Sequence, residues 1–536
     1  MPPGAVVGFR RRGKAGVRTL IAQTALQPGR LKLGNRLFFV LIITCVTITS
    51  LITSSIANTA SEHGESHKVK KTQWQHGVSA LLLSALLGGC ASFGPDSAPA
   101  TQLDAGQLRL SDGQGGQIAS DWWTQLNDTT LNQLVARALQ EAPSLKLAEA
   151  RLRQARAAVG IVEGNSGPKL DFSANMTQLN YEFPAPISRD YVNAYTAMLM
   201  GSWEFDFWGK HRGQIDEAVG QQQAIAFEGA QTRLTLTQAV IAQYTQLQRL
   251  QAQSAVLAKR IQLAESRQTL TQARINAGLL PGDNQRGNEV SLHRLRQQQS
   301  ALAQDSDRAR HALAALTGQG PDALNALQAA KSAALPPLDA DSLHAELLGK
   351  RPDIAAQRAR VEAMAGAVKA ARAEFYPNIK LTAFAGQTSL ELNKLMNGDS
   401  TFWGFMPAIS LPIFHSGAIQ ANLGKQKAGY DLAVHSYNQT VLDAMRDAAD
   451  AVSGWQQSGK QLEQARQAQD SSGRAADSAA ARFKAGIINK LNLLDAQDSA
   501  LAQQSARIDA EAGRKLAWVS LNTALGGGFN AAPATH

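Results

Sequence analysis

The chain has 536 residues, of which 18% are charged and 44% hydrophobic, with 53 Lys/Arg against 43 Asp/Glu and two cysteines. Residues 1–89 hold eleven of the basic residues and two Glu, leaving 42 basic and 41 acidic groups, a net of +1, in the rest. That near-neutral remainder excludes a basic nucleic-acid surface, and Cys45, inside an apolar run, gives Cys90 no disulfide partner.

Two apolar stretches open the chain. Leu37 to Ile56 has the ~20 residues a bilayer span needs. Val78 to Leu87 is shorter, follows the basic pair Lys70-Lys71, and ends in Leu87-Gly88-Gly89-Cys90. This second stretch resembles a bacterial lipobox, in which the cysteine becomes the lipidated first residue. The other reading of Cys90 is a buried cysteine in a signal peptide cut elsewhere. Two export signals in series conflict. Residues 1–68 are therefore expected to lie outside the native precursor, with Val69-Lys70-Lys71 as its start and 69–89 as the signal peptide. A signal anchor over Leu37–Ile56 is the alternative.

After Asp121-Trp122-Trp123, Asp128 and Leu131 open a first helix. An Ala-rich helical stretch follows from Pro143 and ends before Pro168. Leu170, Phe172, Ala174 and Met176 then alternate with polar residues, and Ala197 to Phe207 forms a second strand beyond the loop Glu182–Pro186. From about Arg212 to Ala277 there is no proline, and strong helix formers dominate. Leu236, Val240, Tyr244, Leu247, Leu250 and Leu257 make a narrow apolar seam of coiled-coil type. At ~1.5 Å per residue such a helix is about 100 Å long. It turns at Ala277-Gly278-Leu279-Leu280-Pro281-Gly282 into a second helix.

The same order then repeats. Pro143 to Pro168 matches Pro352 to Pro377 at an offset of 209 residues. Arg274, Ala277, Gly278 and Leu279 match Arg482, Ala485, Gly486 and Ile487 at 208, while Ala315-Leu316 and Gly318 match Ala524-Leu525 and Gly527 at 209. In copy two the strands are expected at Leu381–Thr388 and Phe402–Leu411, flanking Asn397–Ser400. The long helix carries Tyr430, Val434, Tyr437, Val441, Met445, Ala448, Val452 and Trp455 along one seam. Two copies of about 200 residues, at 90–320 and 321–536, exceed the ~20–50-residue period of a solenoid and indicate duplication of one large module. Together they are expected to form one structural unit. Strands near ten residues with alternating pattern and aromatic ends fit either transmembrane β-strands or soluble hairpins. No metal-ligand motif, phosphate loop or nucleophile elbow is present, so the chain is not expected to be an enzyme or to hold a cofactor.

The lipobox, Asp121-Trp122-Trp123, Trp203-Glu204-Phe205-Asp206-Phe207-Trp208-Gly209-Lys210 with Leu411-Pro412-Ile413-Phe414, and Arg482-Phe483-Lys484-Ala485-Gly486 before Leu494-Asp495-Ala496-Gln497 carry a family resemblance. Over about residues 90–530 the chain resembles the TolC-family outer-membrane efflux proteins, particularly the lipoprotein (NodT-type) subunits of drug-efflux pumps. The resemblance implies a mainly α fold with a small β part. Four strands per protomer would join a trimeric twelve-stranded transmembrane β-barrel, and the helical hairpins would build a periplasmic α-barrel.

It also implies a passive exit duct, anchored at Cys90 in the outer membrane and docked to a periplasmic adaptor and an inner-membrane transporter. Ala91-Ser92 lacks the Asp that retains lipoproteins in the inner membrane. The tips at Gly278, Leu279, Gly486 and Ile487 are the expected adaptor-docking surface, a role compatible with helix capping. Asp495 matches an acidic constriction position, with Asn492 where some members carry a second Asp and Asn284 at the corresponding place in copy one. Asp495 is otherwise a solvated helix residue. Type I protein secretion, metal efflux, and a structural coiled-coil lipoprotein without a pore are the competing readings.

Overall fold

The computed structural model describes residues 99–103, 118–181, 190–330, 335–336 and 350–530. A 3₁₀ turn at Trp122–Leu126 precedes α1 (Thr129–Glu141) and α2 (Pro143–Ser166). Then come β1 (Lys169–Tyr181), β2 (Asp190–Phe205), α3 (Lys210–Asn276) and α4 (Asp283–Leu316). Copy two supplies α5 (Pro352–Ala373), β3 (Asn378–Ser389), β4 (Thr401–Ser410), α6 (Ala418–Lys484) and α7 (Lys490–Ala524).

The helix boundaries follow local chemistry. Asp128 caps α1, its carboxylate accepting the Leu131 N–H at 3.0 Å. Pro143 and Pro352 occupy the first turns of α2 and α5, where a missing N–H costs nothing. α3 and α6 each have 67 residues and each starts after a left-handed glycine, Gly209 or Gly417. At their far ends the Gly278 N–H donates to Ile275 O and the Leu279 N–H to Arg274 O, both at 2.9 Å. Gly486 and Ile487 repeat those bonds onto Phe483 O and Arg482 O. This is the Schellman arrangement. It needs φ near +73° at both glycines, a conformation that strains any Cβ-bearing residue.

The same motif fixes the repeat register. Gly318 donates to Ala315 O and Gly526 to Thr523 O, so Gly318 corresponds to Gly526. The matches of Ala315-Leu316 to Ala524-Leu525 and of Gly318 to Gly527 read in the sequence are one residue out, because Gly526, Gly527 and Gly528 are indistinguishable by type. From Gly209/Gly417 onward one offset of 208 holds, and before it, in α2/α5 and β1/β3, the offset is 209.

The four strands make one antiparallel sheet in the order β1-β2-β3-β4. β2 begins at Asp190, seven residues before the start expected from alternation, because it continues to pair with β1 as far as Tyr181↔Asp190. β3 and β4 lie within one to three residues of expectation. The connection between them is longer than Asn397–Ser400 and holds two short 3₁₀ turns, Leu392–Lys394 and Gly398–Ser400.

The core lies where α1 and the two tryptophans meet α3, α6 and α7. Trp122 is buried, with its ring 5.4 Å from that of Trp518. All six residues of the α3 seam are buried, as are Val434, Val441, Ala448 and Trp455 of the α6 seam. Beside this core sits a polar cluster. The Asp128 carboxylate accepts from Tyr244 Oη and Gln248 Nε2, each at 3.2 Å, and Lys515 Nζ donates to Gln248 Oε1 at 2.9 Å. Burial pushes the Lys515 ammonium down and the Tyr244 phenol up to about 12.

Candidate functional site

The sheet has two chemically distinct faces. Residues paired directly across antiparallel strands lie on the same face, so the register sorts them. One face carries Leu170, Phe172, Leu199, Trp203, Leu381, Trp403, Phe405 and Ile409. The other carries Asp171, Ser173, Asn175, Ser202, Glu204, Lys380, Thr382 and Ser410, with some apolar residues among them. Phe172, Trp403, Phe405 and Ile409 are exposed in the single chain. A continuous apolar face of this kind is unusual against water and suits lipid. Within the described chain β1 and β4 are paired on one side only, so the sheet ends in two open edges. Open edges cannot lie in hydrocarbon.

Where the sheet meets the helices, Trp208 stacks on Tyr376 at 4.8 Å and donates its indole N–H to Pro377 O at 2.8 Å. Trp203, Phe205 and Phe207 continue this aromatic cluster.

At the opposite end, Gly278, Leu279, Gly486 and Ile487 are all exposed. Asn284 lies in the first turn of α4, its side chain donating to Pro281 O at 3.2 Å. Asn492 is exposed, and its backbone N–H is capped by the Asn489 side chain at 3.0 Å. Asn284 therefore orders its turn through its side chain, whereas the turn before α7 is ordered by Asn489, with Asn492 contributing only its backbone N–H. Asp495 is one turn further into α7 and accepts from Arg267 of α3.

That contact belongs to a row. Arg260 grips Asp498 with two bonds of 2.8 and 3.0 Å, and Arg249 reaches Asp509 at 2.8 Å. The hydrogen bonds that Arg260 donates to the Asp498 carboxylate raise its pKa against the opposing effect of burial. Only Asp495 of this row was legible in the sequence. The spacings Arg249–Arg260–Arg267 and Asp498–Asp509, of seven and eleven residues, return to one helix face and were the available signal.

Cys90, the lipid-anchor candidate, lies outside the described residues. Among the described residues no group of three or more His, Cys, Asp or Glu is placed to hold a metal ion. No described helix is long and apolar enough to cross a membrane, which leaves the sheet as the described element suited to lipid.

The family of outer membrane efflux proteins matches residues 134–319 and 343–527. The multidrug resistance outer membrane protein MdtP of Escherichia coli O6:H1 is 30% identical over 484 residues, covering 85% of this chain and 98% of its own length. The crystal structure of the outer membrane protein VceC from Vibrio cholerae superposes with a TM-score of 0.71 at 29% identity, covering 77% of this chain and 100% of that one. The outer-membrane channel OprN gives 0.69 at 28% identity, covering 81% and 98%. With both repeats matched, the apolar sheet face at one end and paired helical tips at the other, the chain belongs to the outer membrane efflux proteins and is an efflux channel of the bacterial outer membrane.

Proposed function

We propose that three copies of this chain form one continuous passive duct, with twelve strands in the outer membrane and a helical tube in the periplasm. The observation that carries this reading is the four-stranded sheet with one apolar face and two open edges. Four strands are too few to enclose a lumen, and edge pairing between copies satisfies the backbone without adding a new element.

In this reading the duct performs no catalysis. An inner-membrane transporter supplies the energy, and a periplasmic adaptor docks at Gly278-Leu279 and Gly486-Ile487. The exposed Leu279 and Ile487 offer apolar grip, and the glycines beside them permit close backbone approach. Asp495 narrows the periplasmic end as a ring of three carboxylates, favouring cations. Its pairing with Arg267 holds α7 against α3 in the closed state. Asn284 orders the turn before α4 next to that ring, and Asn492 lies one turn before Asp495 at the start of α7. An acyl anchor at Cys90 adds a second hold on the outer membrane.

The transported class is small toxic molecules, including drugs, by likeness to relatives described as multidrug resistance proteins. No His- or Met-rich tract favours metal cargo over these. The test is conductance. Purified protein reconstituted in a planar bilayer is expected to give discrete, weakly cation-selective channels. Electrically silent protein that inserts into the bilayer would refute the duct.

A further inference from the structure

A cavity of about 590 Å³ lies between α3 and α7, beside the segment 327–330 that follows α4. Side chains of α3 hold that segment as a strap. Gln251 donates to Leu327 O at 3.2 Å and accepts from the Ala329 N–H at 3.0 Å. Tyr244 Oη accepts from the Ala330 N–H at 3.0 Å, and Gln248 Nε2 donates to Ala330 O at 2.7 Å. Every wall comes from one chain, so the cavity exists whether or not copies assemble.

The walls are of two kinds. Arg249, Lys259, Arg507 and Lys515 supply positive charge, with Glu511 the one carboxylate among the lining residues. Ala252, Val256, Ile508 and Ala512 supply apolar surface. Asp509, just outside, matches Arg249 at 2.8 Å, and Glu511 matches Arg507 at 3.0 Å. Among the described residues no carboxylate is paired with Lys259 or Lys515. Asp128 attracts Lys515 at longer range, but its oxygens are engaged by Leu131, Tyr244 and Gln248.

Lys515 is the unusual member. It is 3% exposed, and its Nζ makes a single hydrogen bond, to Gln248 Oε1 at 2.9 Å. An ammonium has three donors. The Tyr244 ring, 5.8 Å away, adds only a cation–π contact. Gln248 is fixed in this orientation, because its Nε2 is bonded to both Asp128 and Ala330 O. A buried ammonium with one neutral acceptor is costly, and burial lowers its pKa. Arg507 Nε, on the same cavity, is a second buried donor without a hydrogen-bond partner.

The repeated helix packing does not require this charge. At the offset of 208, the positions of Arg249, Lys259, Arg507 and Lys515 hold Gln457, Gln467, Gln299 and Asp307 in the other repeat. One of two equivalent places is basic, and the other is neutral to acidic.

We infer that the cavity binds a small organic anion, with its carboxylate or sulfonate on Lys515 and Arg507 and its apolar body against Ala252, Val256 and Ile508. The volume is in the range of small-molecule sites, about 300–1,000 Å³. A bare inorganic anion would leave the apolar walls uncovered. A neutral apolar molecule would leave the buried donors unsatisfied. Exposed Lys259 adds attraction at longer range. The bound anion braces α3, α7 and the strap.

Calorimetric titration of the full chain in a nonionic detergent tests this with three probes. Naphthalene-2-sulfonate carries both features, naphthalene-2-sulfonamide lacks the charge, and inorganic sulfate lacks the apolar body. The sulfonate is expected to bind saturably, one per chain, and the other two at least about tenfold more weakly. Lys515→Met should weaken sulfonate binding about tenfold or more, and Arg507→Gln several-fold. Glu511→Gln, which removes the lining carboxylate, should tighten it. Arg507 and Glu511 are only partly buried, so their variants decide the matter if Lys515→Met fails to fold. Absence of saturable sulfonate binding would overturn the proposal. So would a sulfonamide that binds as tightly, or sulfonate binding that is unchanged in Arg507→Gln and Glu511→Gln.

Discussion

In copy two, α5 lies buried between α3 and α6, with eleven of its 22 residues buried. In copy one, the equivalent helix α2 has only Ala155 and Val159 buried among 24 residues. The two helices descend from one sequence pattern, yet one is packed and the other is half naked. The difference is positional. Copy two's helix is flanked by both long helices of its own chain, while copy one's helix sits at the end of the row. On the trimer proposed above, the single chain is one segment of a ring, and its exposed apolar residues lie where neighbouring copies would meet.

The largest expected effect contrasts Gly366 with its equivalent, Ala157. A Cβ on Gly366 would lie 2.7 Å from the Glu217 N and 2.8 Å from the Gly213 O. Gly366→Leu should destabilise the protomer by about 3 kcal/mol, the upper range for overpacking. Ala157→Leu, at an exposed site, should leave protomer folding unchanged and weaken only the association of copies. Urea midpoints, together with native mass, separate the two outcomes. Equal loss of folding in both variants would break the comparison.

The polar cluster is the next contrast. Asp128 caps α1 and faces Tyr244, Gln248 and the buried Lys515. In copy two, Val452 takes the place of Tyr244, and in copy one Asp307 takes the place of Lys515. Asp128→Ala should cost about 2 kcal/mol through the lost cap and the unpaired buried groups. Val452→Ala should cost about 1 kcal/mol through lost methyl contacts. Thermal unfolding in detergent measures both.

The same cluster sets a pH dependence. Tyr244 keeps its proton up to about 12 when folded, whereas an unfolded tyrosine ionises near 10. Between those values the unfolded chain binds fewer protons, so stability falls as pH rises through that window. Lys515 acts in the opposite direction. Its pKa is lowered in the fold, so the unfolded chain binds more protons between the depressed value and about 10.4, and stability rises there. Tyr244→Phe should flatten the decline between about pH 10 and 12 and leave the Lys515 rise in place. A decline identical to that of the parent chain would show that another group controls it.

The smallest expected effect is at the tips. Asp495 in copy two corresponds to Gly287 in copy one. The Asp495 side chain is 62% exposed and that of Arg267 is 31% exposed, and surface pairs contribute only ~0–1 kcal/mol. Asp495→Ala is expected to raise single-channel conductance by less than about twofold, with the difference shrinking at high salt. Gly287→Ala should leave conductance unchanged. Equal conductance and ion selectivity in Asp495→Ala and the parent would remove Asp495 from the constriction.

Much of this architecture was legible in the sequence. Prolines 25 residues apart in both copies, glycines at both tips and unbroken heptad-like seams define helix boundaries through local chemistry. The strand ends were less legible. Residues 190–196 alternate poorly and are held extended by the ladder to β1, a non-local cause. The arginine row on α3 was missed because pairing with α7 joins residues more than 200 positions apart. The Lys515 cluster was missed for a related reason. An isolated lysine on a helix reads as solvent-facing until α1 and α3 are seen to close over it.

Native mass spectrometry of the detergent-extracted protein asks whether the open sheet edges are closed by other copies of the same chain. Three chains per particle, with no stable lesser species, is the predicted result. A folded particle containing one chain, stable in detergent and retaining its β-sheet signal, would contradict it.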